Sequence, residues 1–486
     1  MVYPYTFQPA GQSIEPGMSS QLSQRTDRRH DVVVIGGGSA GYAAARTARD
    51  AGADVAIVDQ GPLGGLCILR GCMPTKTILR SAEIMALMKR AREFGLAPVN
   101  AQADLAAIVD RKNRLVQEFA DYRIAALRDP GFTLYESRAE FISPHEIRVG
   151  TLHIRGNAFV IATGSRPAEI AIPGLDQAGY LTSDDMLDVR RAPSSLLVLG
   201  GGLVAVEFAQ FFARIGTKVT MLQRGATLLS DMDQDVGQAL EAAFQAEGIE
   251  VITGVSFQQV TSTPTEKTVH FRQGSAVHSR SAELIFQALG RRPNLNGLNV
   301  EAAGVDVIDG RLVVGPDMRT SQPHIFAVGD VNDLTPIVHL AIQQGETAAW
   351  NATHAEGPAR VIDHRLDSEM VFTDPQVAVA GLSERQCRAR SIPYLTASYP
   401  FADHGKAMCL GASHGFVKLL CRPDTGELLG AQIVGPEAAE LIHELIAVMY
   451  FHGTAQDLLR IPHYHPTLAE IVTYPAESIL EQMGQA

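Results

Sequence analysis

Two stretches of the chain repeat one pattern of apolar, small and polar positions. The first begins Asp31-Val-Val-Val-Ile-Gly36-Gly-Gly38-Ser-Ala-Gly41, continues as an Ala-rich amphipathic stretch, and ends in Ala-Asp-Val-Ala-Ile-Val-Asp59. The second, at residues 195–224, runs Ser-Leu-Leu-Val-Leu-Gly200-Gly-Gly202-Leu-Val-Ala205-Val-Glu207, then a helix-like stretch, then Thr-Lys-Val-Thr-Met-Leu-Gln223-Arg224. A short apolar run, a glycine turn, an amphipathic segment and a second apolar run predict strand, turn, helix and strand. That βαβ order is the arrangement that holds a dinucleotide.

Each glycine of the turn has its own task. Gly36 permits the tight bend, Gly38 lets the backbone approach a pyrophosphate, and Gly41 lets helix and strand pack closely. The pyrophosphate then meets the free N–H groups and positive dipole end of the helix. Asp59 closes the second strand, placed to accept hydrogen bonds from a ribose. A glycine-rich turn alone also suits other α/β proteins; the strand, helix and terminal acid together favour the nucleotide. In the second copy Gly200 and Gly202 keep the first two places, Ala205 replaces the third glycine, and Gln223-Arg224 replaces the acid. Losing the carboxylate removes its repulsion of a 2′-phosphate, and Arg224 offers a cation, so NADP(H) is favoured over NAD(H). The plainer alternative is that Arg224 is a solvated loop residue.

After the first repeat comes Gly-Gly-Leu-Cys67-Ile-Leu-Arg-Gly71-Cys72-Met-Pro-Thr-Lys76, running into a helix predicted over Thr75–Ala91. In an ideal helix, residues five apart have Cα atoms roughly 8–9 Å from each other, beyond the ~7 Å reach of a disulfide. A bridge would need a distorted helix start, which Gly71 makes easier. A strained bridge of that kind is the reducible, catalytic sort. The alternative is two unconnected thiols. Near the C-terminus, Pro466 suits the first position of a helix. That would set His465 at the helix start and Glu470 about one turn inside, a pairing that fixes an imidazole tautomer for acid–base work. From that segment alone, a helix start with a bystander histidine is the favoured reading, since most histidines are not catalytic.

Composition narrows the field. With 486 residues, 46% hydrophobic and 19% charged, the chain is long enough for several domains with ordinary cores. A net charge of −12 argues against a nucleic-acid partner and against an anionic membrane surface. No apolar run approaches the ~20 residues of a membrane span. Residues 1–28 are rich in Ser, Gln, Pro and Gly and read as a flexible extension, with Met18 a second candidate start. Five cysteines make no disulfide framework, so a reducing, cytoplasmic setting is expected. Cys387, Cys409 and Cys421 show no metal-ligand spacing, and no metal site is expected.

Taken together, these motifs resemble the pyridine nucleotide–disulfide oxidoreductases, the group of dihydrolipoamide dehydrogenase, glutathione reductase and mercuric reductase. The likeness runs from about residue 30 to 480. Cys67–Lys76 is similar to the redox-active disulfide motif. Ile161-Ala-Thr163-Gly164-Ser-Arg-Pro167 is similar to the passage from the FAD domain to the NAD(P) domain, and Thr320–Asp330 to the second FAD motif, which implies that Asp330 binds the ribitol chain. His463-Tyr-His465-Pro-Thr-Leu-Ala-Glu470 is similar to the interface motif carrying the catalytic base. The implied fold is α/β: two doubly wound Rossmann-like domains for FAD and NAD(P), and an α+β dimerisation domain. Its implied divisions are 29–165 and 292–363 for FAD, 166–291 for NAD(P), and 364–486 for the interface.

The resemblance also implies roles. Cys67 meets the substrate, Cys72 faces the flavin, Lys76 and Glu207 pair beside the flavin edge, and His465 serves the partner subunit of a homodimer. His463 and His339 would only pack or line the substrate mouth. Electrons would pass between NAD(P)(H), FAD, the Cys67–Cys72 disulfide and a small disulfide or dithiol. The motifs lie closest to dihydrolipoamide dehydrogenase. Gln223-Arg224 and Ala205 are more like an NADPH-dependent glutathione-type reductase, the second reading. A mercuric reductase of this family would carry a vicinal cysteine pair near its C-terminus, where this chain reads Glu-Gln-Met-Gly-Gln-Ala. A third reading, of another class, is a flavoprotein docking subunit of a lipoyl or acyltransferase complex.

Overall fold

In the computed structural model, residues 27–484 are described. The strand Asp27–Ile35 pairs in parallel with Val55–Val58 on one side and Leu152–Ile161 on the other. Thr133–Tyr135 extends the sheet beyond Val55–Val58, and Ile325–Ala327 joins it in parallel beside Leu152–Ile161. Val32–Ile35 and Val55–Val58 are buried at every position, which is why they read as unbroken apolar runs and not as alternation. The helices Ser39–Asp50 and Val338–Thr353 lie against each other on this sheet. Gly345 lets them meet: a Cβ there would come within 2.2 Å of the Ala40 carbonyl oxygen.

A second parallel sheet, in the order Glu250–Ile252, Lys218–Leu222, Ser195–Leu199, Leu284–Gln287, is inserted between the two lengths of chain that build the first. A three-stranded antiparallel sheet of Val255–Ser262, Lys267–Gln273 and Ala276–Ala282 accompanies it. Ser165–Pro167 and Arg291–Pro293, antiparallel neighbours, carry the chain out of the first sheet and back. The last unit is a five-stranded antiparallel sheet ordered Ser368–Val371, Gln376–Gly381, Leu428–Gly435, Phe416–Cys421, Leu395–Pro400. The helices Ala438–Tyr450 and Thr473–Gln482 pack on it. This is the expected architecture of two doubly wound nucleotide domains and an α+β C-terminal domain.

Three details differ from the sequence reading. The first strand already begins at Asp27, so the end of the expected extension is sheet; residues 1–26, Met18 included, lie outside the described residues. The helix expected over Thr75–Ala91 runs Cys72–Lys89, because the first turn of a helix tolerates Pro74, whose missing N–H has no intrahelical partner there. No helix starts at Pro466. The chain turns helical only at Ala469–Val472 and continues as Thr473–Gln482, since a proline's fixed φ suits a turn as readily as a first helical position. Among the described residues, no helix is long and apolar enough to cross a membrane.

Candidate active site

The first glycine turn is shaped by contact. Gly36 has φ +105°, and a Cβ there would sit 2.4 Å from the Ala162 carbonyl oxygen. At Gly41 a Cβ would come within 1.8 Å of the Gly36 oxygen, so strand end and helix start touch through bare backbone. Gly38 faces Gly65 of the redox loop closely enough that a Cβ on Gly65 would fall 2.5 Å from the Gly38 Cα. No side chain caps the N-terminus of the helix Ser39–Asp50, which leaves its first N–H groups for a ligand. Asp59 accepts the N–H of Gly37 at 2.6 Å and that of Gly61 at 2.7 Å, and each carboxylate oxygen keeps a second lone pair.

A flavin dinucleotide fits this turn. Beside it, the Thr163 hydroxyl oxygen is buried without a partner among the described residues. Asp330 lies at the same face, accepting the Ser165 hydroxyl at 2.6 Å, while the Ser165 Oγ accepts the Arg291 Nε–H at 2.8 Å. The sequence reading missed Ser165 and Arg291. Burial pushes the Arg291 guanidinium down, with Asp184 and Asp330 opposing it. Gly164, at φ +69°, makes the bend after Thr163.

The second turn follows the same plan. A Cβ at Gly200 would lie 2.4 Å from the Ala288 carbonyl oxygen, Gly202 faces open space, and the helix Leu203–Arg214 likewise has no side-chain cap. Gln223 is buried, its amide donating at 3.4 Å to Thr227 O and to Ser230 Oγ, so it is turned into its own loop. Arg224, beside it, is exposed.

Cys67 lies in a short helix, Leu66–Leu69, and Cys72 opens the next, Cys72–Lys89; the chain breaks at Arg70-Gly71 between them. Both are free thiols in this structure. They are hydrogen-bonded to each other, and this contact drives their acidities apart. The Cys67 S–H donates, so its own thiol is pushed up, with burial adding to the effect. Cys72 accepts and is lowered to about 7, helped by the nearby Lys76 ammonium and opposed by burial. Lys76 Nζ stands 2.9 Å from both carboxylate oxygens of Glu207. Glu207 is buried on the second domain's helix and also accepts the Phe372 N–H at 3.0 Å, while the Lys76 ammonium sits 4.6 Å over the Phe372 ring. One ion pair thus ties the redox helix to the other two domains.

His465 and Glu470 meet through Nδ1 and a carboxylate oxygen at 2.9 Å, with the His465 side chain 79% exposed and Glu470 largely buried. His463 is half-buried and bonds Glu444 at 2.8 Å, whereas His339 is exposed and bonds the Ser368 hydroxyl at 3.1 Å. A third histidine, His404, places its Nε2 3.4 Å from Glu470 Oε1. The sequence carries no sign of it, because His404 and Glu470 are distant along the chain and no motif links them. Arg70, between the cysteines, is bound to Asp188 at 2.5 Å, which also holds the buried Lys112.

Residues 30–345 match the pyridine nucleotide-disulphide oxidoreductase family, and residues 368–476 match the dimerisation domain of that family. The chain belongs to this family, and it is a flavin-dependent disulfide oxidoreductase, a class that uses FAD and a pyridine nucleotide. Among its relatives is a mercuric reductase of Staphylococcus aureus, 32% identical over 466 residues, covering 96% of this chain and 85% of the relative. A dihydrolipoyl dehydrogenase of Bacillus subtilis is 32% identical over 461 residues, covering 94% of this chain and 99% of the relative. The solved structure of the HOCl-induced flavoprotein disulfide reductase RclA from Escherichia coli superposes with a TM-score of 0.81 at 26% identity, over 92% of this chain and 99% of that one.

Proposed function

We propose that this enzyme passes electrons between NADP(H), FAD, the Cys67–Cys72 pair and a small disulfide or dithiol of the lipoyl type. The observation that carries the reading is the placement of Cys67 and Cys72 on either side of the Arg70-Gly71 break, with the Lys76–Glu207 ion pair one helical turn beyond Cys72. The chain's resemblance to dihydrolipoyl dehydrogenase supports the substrate class. The flavin pyrophosphate would rest on Gly36, Gly38 and Gly41, with Asp59 at the ribose and Thr163, Gly164 and Asp330 along the ribitol and ring. Bound FAD supplies the relay that carries the two electrons of a nicotinamide hydride to the cysteine disulfide. Gly200 and Gly202 would cradle the second pyrophosphate, and exposed Arg224 would meet a 2′-phosphate.

In the reductive direction His465 takes the Cys67 S–H proton, and the Cys67 sulfur attacks one sulfur of the substrate disulfide, whose S–S bond breaks. The departing thiolate takes its proton from His465, held in one tautomer by Glu470. The Cys72 thiolate then attacks Cys67 of the mixed disulfide, releasing the second substrate thiolate and closing the Cys67–Cys72 bond. The reverse sequence oxidises a dithiol, with His465 as base. We assign His465 to the active site of the partner subunit in a homodimer; its exposure on its own chain supports this, as does the dimerisation domain. A cytoplasmic location and domain divisions near residues 165, 291 and 363 complete the proposal.

A second reading, an NADPH-dependent glutathione-type reductase, is favoured by Ala205 and Gln223-Arg224. Steady-state turnover of lipoamide, oxidised glutathione and an aromatic disulfide, each with NADPH and NADH, separates the two. Fastest turnover of lipoamide is expected. Preference for glutathione would transfer the assignment to the second reading, and no turnover of any disulfide would overturn both.

A further inference from the structure

Behind the His465–Glu470 pair, the structure contains a second imidazole that the proposed mechanism leaves without a task. His404 is fully buried, with edge contacts to Phe401 and Tyr474. It caps the helix Gly405–Leu410, its Nδ1 accepting the Ala407 N–H at 3.4 Å. A nitrogen that accepts has no proton, so in the neutral ring the proton lies on Nε2. Nε2 lies 3.4 Å from Glu470 Oε1 without forming a hydrogen bond to it, and has no hydrogen-bond partner among the described residues. Burial pushes the His404 imidazole down, which keeps it neutral with Glu470 opposing. His465 Nδ1 reaches both Glu470 oxygens, Oε1 at 3.2 Å and, more closely, Oε2 at 2.9 Å.

We propose that His404 is a positioning residue for the acid–base pair, donating its Nε2–H to Glu470 Oε1 so that Oε2 is held for His465. A buried donor left unpaired is costly. A carboxylate approached only by an exposed imidazole could rotate; one held from behind by a fixed N–H keeps a single orientation. The distance, about 0.5 Å longer than a usual N–H···O bond, closes by a small shift when substrate and partner subunit fill the site. The inference rests on the proposed role of His465 and deepens it.

The test uses the flavin-loaded enzyme and two reactions. Disulfide reduction needs the thiols and the acid–base pair; reduction of ferricyanide by the nicotinamide needs only the flavin. His404→Asn keeps a side-chain acceptor for the Ala407 N–H but cannot reach Glu470, whereas His404→Gln restores a donor at the Nε2 position. The expected result for H404N is a fall of about tenfold in kcat for the disulfide, with KM and ferricyanide turnover unchanged. H404Q should recover most of that loss. In an E470Q background, H404N should have no further effect, because its action passes through Glu470. Wild-type disulfide kcat in H404N, or additive losses in the double variant, would overturn the proposal. An equal fall in both reactions would overturn it too, by showing a structural role. His465→Gln is the separate control: if it leaves disulfide turnover intact, the parent reading fails, whatever His404 does.

Discussion

At the scale of single residues, the cysteine pair makes the most direct demand on experiment. The Cys72 thiol is lowered to about 7, first by the hydrogen bond from Cys67 and also by Lys76. In the two-electron-reduced enzyme, alkylation at Cys72, followed by peptide mass spectrometry, should therefore rise with a midpoint near 7. Cys67→Ala removes the donor, and the midpoint should move up toward the ordinary thiol value; an unmoved midpoint would contradict the stated cause. Cys421, by contrast, is pushed up to about 12 by burial alone and should stay unreactive in the same digest. The second demand falls on Arg224. Its exposed guanidinium next to the inward-turned Gln223 predicts a higher kcat/KM with NADPH than with NADH. Arg224→Glu should erase or reverse that preference, by about tenfold for a phosphate contact of about 1.4 kcal/mol.

Between elements, the second domain and the interface domain are joined by a buried hub. Asp233, at the start of the helix Gln234–Ala246, accepts the N–H groups of Glu384 and Arg385 and the Gln432 amide. Buried Lys418 reaches Asp233, Asp235 and Glu384 at 3.3, 2.7 and 3.0 Å. Burial raises the Asp233 carboxyl, but the two backbone N–H groups and Lys418 outweigh it and hold the group below its ordinary value. Lys418→Met leaves these carboxylates without their cation and should cost about 3 kcal/mol, read from denaturant or thermal unfolding. The sign with pH follows from the lowered carboxyl. Its stabilisation is present above the unfolded-state value and is lost as pH falls through the folded-state value. The drop in Tm as pH falls below about 4 should therefore be smaller in the variant than in the parent.

For the molecule as a whole, the exposed apolar side chains of the third domain carry the last prediction. Tyr450, Phe451 and Tyr464 are 60, 78 and 81% exposed on the single chain. Water-exposed aromatic groups of that size mark a surface that another molecule covers. Sedimentation velocity should show a dimer. Phe451→Asp should shift the equilibrium to monomer and abolish disulfide turnover while leaving nicotinamide-driven ferricyanide reduction. A fully active monomer would show that each chain completes its own site.

Local chemistry makes much of this protein legible in its sequence. The two glycine turns announce themselves, because strand, bare backbone and helix start in that order can seat a pyrophosphate. The spacing of Cys67, Gly71 and Cys72 implies a broken helix, since one continuous helix keeps such residues apart. Contacts between distant parts of the chain are hidden from that kind of reading. Lys76 meets Glu207, Arg291 meets Ser165, and His404 stands behind Glu470 only because packed sheets bring those segments together. The start of the last helix is likewise not given by Pro466, since a proline's preference for a first helical turn is weak beside the tertiary packing that bends residues 463–468. Sequence determined which residues can do chemistry. The tertiary structure decided which of them touch, and so which acid, base and thiol work as one.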